Sequence, residues 1–420
     1  MAARGIRRRS AAIAGAVLSV ILLAAGCAPD KTLELDLVEQ ASGGFPDDVS
    51  AELDAAVQSA MAATASTGAL VGVWAPWSGS WLAGLGTDAT GATVTPDMTF
   101  RIADLTRLMT CDVLYAVASE GTVSLQDPVT DYVVGYPDLH DATLLDLCNG
   151  TAGLGSFEPV IGAQWYGNPE RVWDPLEIAA FGLGQPRSAV GTEYRDSDAG
   201  FMLLGMALER ATRLSAAAMY ERYIVEPLGL VATSLPRAAA SAPGAQPLHG
   251  AWIPTNPDGT LNCAEPRDVS VMSSSAGFTD AGVVSSLEDL GLYLQAMAAG
   301  AIGGEAVSER FSEPLPAYSG APAWYTATGG ALIAGSLIGQ MGAMPGYLTA
   351  GFTDPATGMT VVVVLNNSTA GAAVAGDLAW QLAAIASRAP AASGFTAPEL
   401  GLPWTAQQYG NAVAQINICR

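Results

Sequence analysis

Phe100-Arg101-Ile102-Ala103-Asp104-Leu105-Thr106-Arg107 is the stretch on which the fold turns. Apolar residues at helical spacing run on from Leu108 to Ser119, and then come Glu120-Gly121 and Leu125-Gln126-Asp127-Pro128-Val129; the periodicity predicts a long buried helix. Upstream, residues 53–63 have helical spacing, while 69–74 and 80–86 read as two strands joined by a turn over 76–79. A strand-and-loop region therefore gives way to a helix at this stretch. Asp104 and Arg107 are three apart, so they share one face of its first turn.

Downstream the landmarks continue. Leu145-Asp146-Leu147-Cys148-Asn149-Gly150-Thr151-Ala152-Gly153-Leu154 is followed by a helix beginning near Pro175. Next come Gly191-Thr192-Glu193-Tyr194-Arg195-Asp196-Ser197-Asp198-Ala199-Gly200-Phe201 and Pro227-Leu228-Gly229-Leu230. Residues 236–270, rich in Ala, Pro and Gly, read as an irregular excursion, and Ala281-Gly282 with Asp289-Leu290 opens another helix. Residues 332–338, 347–352 and 359–366 read as three closing strands, with Gly339-Gln340-Met341-Gly342 between the first two. Residues 373–388 form a last helix, and 391–420 a tail of turn residues.

In order and spacing, these runs over about residues 50–390 resemble the serine β-lactamase and D-alanyl-D-alanine carboxypeptidase (penicillin-binding protein) family. The resemblance implies an α/β fold, an antiparallel sheet flanked by helices. A mostly helical lobe, roughly 120–280, would be inserted within the domain 49–390, with the cleft between the lobes. The family's Ser-x-x-Lys opens the first helix. Here the serine place holds Asp104 and the lysine place Arg107. Asp196 takes the place of a tyrosine, Asp198 of an asparagine, and Gly150 of a histidine. Gln340 takes that of the basic residue in Lys-Thr-Gly, with Gly342 at the glycine.

These substitutions bear on the chemistry. Acyl transfer needs a hydroxyl nucleophile with a base one turn away. A carboxylate forms no stable ester, and a guanidinium stays protonated at any working pH. The one lysine, Lys31, lies outside the resembling region. If the fold is kept, Asp104, Asp196 and Asp198 are expected to converge on Arg107 and satisfy its charge. A calcium site on Asp196 and Asp198, a shared-proton carboxylate pair, and a triad built on His140 or His249 are weaker alternatives. The expectation is a catalytically inactive member whose cleft binds a peptidoglycan stem peptide or an envelope protein. The alternatives are an active hydrolase using non-standard groups, and a structural envelope module. No cofactor and no metal site are expected, since no Cys-x-x-Cys and only two histidines occur.

Hydrophobic residues are half of the 420, and charged ones 14%, so a large core can form. The net charge is −22, near −26 without the first 26 residues, which argues against nucleic acid as a partner. Arg4–Arg9 and the apolar run 11–25 read as a signal peptide over 1–26. Leu22-Leu23-Ala24-Ala25-Gly26-Cys27 resembles a bacterial lipobox, which makes Cys27 the lipidation candidate and 27–48 a tether. The expected place is the outer face of the cytoplasmic membrane, held by lipid alone. Cys111, Cys148, Cys263 and Cys419 remain, an even number suited to two disulfides with three possible connectivities, or to buried free thiols. The family resemblance sets Cys111 in the first helix over Cys148, implying Cys111–Cys148 and Cys263–Cys419.

Overall fold

The computed structural model describes residues 32–419. The expected signal segment, Cys27 and the first residues of the expected tether lie outside the described residues. Helix α1 (Asp47–Thr64) leads into the hairpin β1 (Gly68–Ala75) and β2 (Gly79–Gly86), and β3 (Phe100–Arg101) delivers the chain into α2 (Leu105–Ser119). Helices α3 (Leu144–Asn149), α4 (Glu158–Gly167), α5 (Pro175–Leu183), α6 (Asp198–Thr212), α7 (Ala216–Tyr220) and α8 (Glu226–Leu228) follow. Then come β4 (Ala251–Trp252), β5 (Arg267–Asp268), α9 (Phe278–Ala281), β6 (Val284–Ser285) and α10 (Leu287–Ala298). Strands β7 (Leu315–Pro316), β8 (Tyr325–Thr328), β9 (Ala331–Ala334), β10 (Leu337–Met344), β11 (Tyr347–Thr353) and β12 (Thr360–Leu365) precede α11 (Ala373–Ala386) and α12 (Ala406–Gln415).

Eight strands form one antiparallel sheet in the order β2-β1-β12-β11-β10-β9-β8-β7. The N-terminal hairpin thus pairs with the last strand, Val71 opposite Val363. The α/β architecture expected from the sequence is what the chain adopts. Strand β12 shows why both faces of the sheet are covered. Val361 and Val363 enter a core with Leu53 and Val57 of α1 and Leu378 of α11. Val362 and Val364 enter the opposite core with Leu108 of α2 and Leu290 of α10. A strand buried on both sides needs apolar residues at every position, not only alternate ones.

Three expectations need correction. The strand read over 332–338 is two strands, β9 and β10, broken where Gly335 adopts a φ of +59°, a conformation glycine reaches without a Cβ penalty. As a result, Gln340 and Gly342 lie within β10 and not on a link between strands. The segment 32–46 is no free tether. Ala41 and Phe45 are buried, Ala41 N–H donates to the Pro76 carbonyl at 2.7 Å, and Leu33 N–H to that of Pro227 at 2.7 Å. Its apolar side chains find surface to cover, so the backbone follows. The tail carries α12, whose Tyr409 and Val413 are buried in the same core as α11. Disulfides join Cys111 to Cys148 and Cys263 to Cys419.

Candidate functional site

Strand β3 and the turn after it aim α2 at the centre of the molecule. Ile102 N–H donates to the Val283 carbonyl at 3.0 Å, and buried Ala103 is held at a φ of +50°. A non-glycine residue there is strained by about 1–3 kcal/mol and persists only where its surroundings over-determine it. Asp104 follows as the N-terminal cap of α2, yet its carboxylate makes no capping bond. It faces Arg107 instead, at 3.3 Å from Nη2.

Arg107 is 4% exposed and enclosed by acids. Its Nε donates to Asp280 of α9 at 2.7 Å, and Nη1 pairs with Asp196 on the loop before α6. Phe201 of α6 lies under the guanidinium, its ring centre 5.1 Å away. Asp198 is not in this ring, contrary to the sequence expectation. Its oxygens accept from Ser156 Oγ at 2.5 Å and from the backbone N–H groups of Phe157 and Glu158 at 2.7 and 2.9 Å. It holds down the start of α4, where backbone N–H groups lack helical acceptors. Asp280 takes the third place around Arg107. The sequence marks it only by its position just ahead of Ala281-Gly282.

Gln340 is 3% exposed, with Nε2 donating to the Gly330 carbonyl at 3.1 Å. Gly342, two residues on along β10, faces Asp104 directly. Gly150 closes α3 at a φ of +69°. The cleft between β10 and the helices has a volume of about 490 Å³, and its walls include Trp165, Tyr166, Tyr194, Trp252 and Tyr325. Tyr166 and Trp252 stack with ring centres 4.3 Å apart. Among the described residues, no three His, Cys, Asp or Glu side chains are grouped to hold a metal ion. His249 pairs with Asp268 at 3.1 Å, and neither histidine lines the cleft.

The Beta-lactamase family model matches residues 53–385. The chain belongs to the β-lactamase family. It is 30% identical over 145 residues to the D-alanyl-D-alanine-carboxypeptidase/endopeptidase AmpH of Escherichia coli K12. That match covers 33% of this chain and 37% of AmpH, so the chain spans little more than a third of the curated relative it matches. A D-stereospecific amidohydrolase from Streptomyces sp. superposes with a TM-score of 0.65 at 21% identity, covering 77% of this chain and 95% of that one. A penicillin-binding protein homologue from Pyrococcus abyssi gives 0.64 at 19%, covering 78% and 75%. Both share the fold.

In this β-lactamase-family chain the cleft is electrostatically lopsided. Burial pushes Asp104 well above the usual carboxylate range, and Asp280, Asp196 and Glu158 add to the rise against the pull of Arg107. Burial takes Asp280 to about 7. Burial raises Asp198 as well, and Glu158, which reaches solvent at the rim, is raised by partial desolvation together with the neighbouring Asp198 and Asp196. Arg107, ringed by acids, is held charged more firmly than a free arginine. The shared-proton carboxylate pair needs Arg107 turned away, and instead it binds both Asp104 and Asp280. Behind the site, Arg310 pairs with Asp112 of α2 with both side chains fully buried. It also donates to the Leu108 carbonyl at 2.8 Å, so α2 is pinned from both sides.

Proposed function

We propose that this β-lactamase-family protein is catalytically silent and uses its cleft to bind a peptidoglycan stem peptide, at the outer face of the cytoplasmic membrane under a lipid anchor on Cys27. The observation that carries this reading is the burial of Arg107 among Asp104, Asp196 and Asp280. In the resembling enzymes this turn of the helix holds a hydroxyl and an amine. Here the hydroxyl's place is taken by a carboxylate, and the amine's by a cation that cannot give up its proton. Loss of the nucleophile alone costs about a millionfold in comparable hydrolases. No lysine follows Lys31, so none can serve as a displaced base. The carboxypeptidase named among the relatives, acting on D-alanyl-D-alanine, supports a cell-wall peptide as the ligand.

The test has two arms. A fluorescent penicillin should leave no covalent label on the protein under conditions that label an active carboxypeptidase. Stem peptides should raise its melting temperature, since a ligand at a hundred times its Kd adds about 2.7 kcal/mol to stability. A covalent adduct removes the silent reading. A melting point unmoved by any stem peptide removes the ligand.

A further inference from the structure

We propose that the cleft recognises its ligand by a protonated amino group seated among the carboxylates at the cleft mouth, with a neighbouring carbonyl bound by Trp165. This deepens the reading of the cleft as a peptide-binding site and rests on it. Five acids line the cleft, Asp104, Glu158, Asp196, Asp198 and Asp280, and Arg107 is the one cationic side chain among the described residues lining it. Its guanidinium is already taken up by three of them. Among the described residues, Asp198 accepts hydrogen bonds only from a hydroxyl and backbone N–H groups. Glu158, exposed at the rim, has no side-chain hydrogen bond or ion pair among the described residues. Asp196 spends one oxygen on Arg107 while two thirds of its side chain stays exposed. Negative charge is therefore in excess, and the excess lies on the solvent side.

A second observation points to the same ligand from its other end. Trp165 lines the cleft, is 4% exposed, and its indole Nε1 has no hydrogen-bond partner among the described residues. A buried N–H without an acceptor costs about 1–3 kcal/mol, and a carbonyl entering the cleft would relieve it. The stacked Tyr166 and Trp252 add a flat wall suited to an organic cation over a hydrated one. A divalent metal would need several acids grouped around one point, which is not how these are set. An ammonium a few bonds from a carbonyl is the chemistry of an aminoacyl group. It has two sources in a peptide, the N-terminal amine and the side-chain amine of a diamino acid.

The probe is L-Lys-D-Ala-D-Ala in four forms: free, acetylated on the α-amine, acetylated on the side-chain amine, and acetylated on both. Binding is measured by calorimetry on the purified protein at fixed salt. The free peptide is expected to bind about tenfold or more tighter than the doubly acetylated one, a difference of about 1.4 kcal/mol. The singly acetylated form that keeps its affinity identifies the amine. Glu158→Gln is expected to weaken the amine-bearing forms severalfold and leave the doubly acetylated form unchanged, with a melting point no lower than that of the wild type, because among the described residues Glu158 holds no other side chain and its charge is repelled by Asp198 and Asp196. Equal binding of all four forms, or indifference to Glu158→Gln, overturns the amine and leaves the silent binding cleft standing. Binding by none of the four overturns both the amine and the stem-peptide ligand. Amine-dependent binding accompanied by cleavage of the D-Ala–D-Ala bond leaves the amine in place and ends the silent reading.

Discussion

Asp104 and Gly342 touch across the cleft floor: a Cβ on Gly342 would lie 2.4 Å from Asp104 Cγ and 2.5 Å from its backbone nitrogen. Helix α2 and strand β10 can approach this closely only because position 342 has no side chain. Gly342→Ala is expected to cost about 1–3 kcal/mol, the usual range for overpacking. Removing the Asp104 side chain as well (Asp104→Gly) should recover only part of that loss, because the backbone nitrogen still blocks the new methyl. Urea denaturation of the single and double variants measures this. Wild-type stability in Gly342→Ala would mean the two elements are not in contact.

Arg107 is the second test of the same floor. Arg107→Met leaves Asp104, Asp196 and Asp280 facing one another with no cation between them. Removing one partner of a buried ion cluster costs about 3–5 kcal/mol. The loss should be greatest at pH 8 and smaller at pH 5, where the acids can take up protons instead. Arg107→Lys should recover only part of it, since a single ammonium cannot reproduce the guanidinium fork that reaches three acids. A variant as stable as wild type at pH 8 would show that the cluster carries no net weight.

The pH dependence of the wild-type protein follows from the acids around Arg107. Asp280, at about 7 when folded and near 3.8 when unfolded, binds more protons in the folded state between those values. Stability from this group is therefore complete below about pH 4 and declines as pH rises toward 7. Asp104, Asp198 and Glu158 are raised too and act in the same direction. Asp88 is lowered, so its contribution is lost only in more acid solution, outside this window. The protein should unfold at a lower urea concentration at pH 8 than at pH 5. Asp280→Asn, which keeps an oxygen to accept from Arg107 Nε, should flatten that slope. A stability that climbs from pH 5 to 8, or a slope indifferent to Asp280→Asn, would contradict this account.

Much of this was legible in the sequence, and the exceptions have physical causes. The buried helix 105–119 and the strand 360–365 declare themselves by composition, because each is covered on nearly every side. Asp104 and Arg107 meet as their spacing of three implied, and Asp196 joins them as the family resemblance implied. Asp198 and Asp280 exchanged parts. An aspartate beside a helix start can bond that helix's own turn or a neighbour's N–H groups, and only packing decides which. Asp198 reaches α4, 40 residues earlier in the chain, and no local pattern predicts such a contact. The break at Gly335 was hidden because glycine permits a strand as well as a turn. Residues 32–46 looked like a tether because their surface is polar, and their scattered leucines and Phe45 show no period.

On the silent reading proposed for the cleft, Asp104 and Arg107 stand in the places of a hydroxyl and an amine. Asp104→Ser with Arg107→Lys restores a hydroxyl and an amine one helical turn apart, the spacing that lets an amine take the serine proton. Geometry alone would suggest an active enzyme. Electrostatics opposes it, because the new lysine would sit where Arg107 now meets Asp280 and Asp196. An ammonium beside two carboxylates has its pKa raised, and a protonated lysine cannot act as a base. The double variant should therefore remain unlabelled by fluorescent penicillin at pH 7. Adding Asp280→Asn and Asp196→Asn removes that negative charge and should give slow labelling that increases with pH as the lysine deprotonates. Rapid labelling of the double variant at neutral pH would show that the surrounding aspartates do not hold the site silent, and that two substitutions alone separate this protein from an active relative.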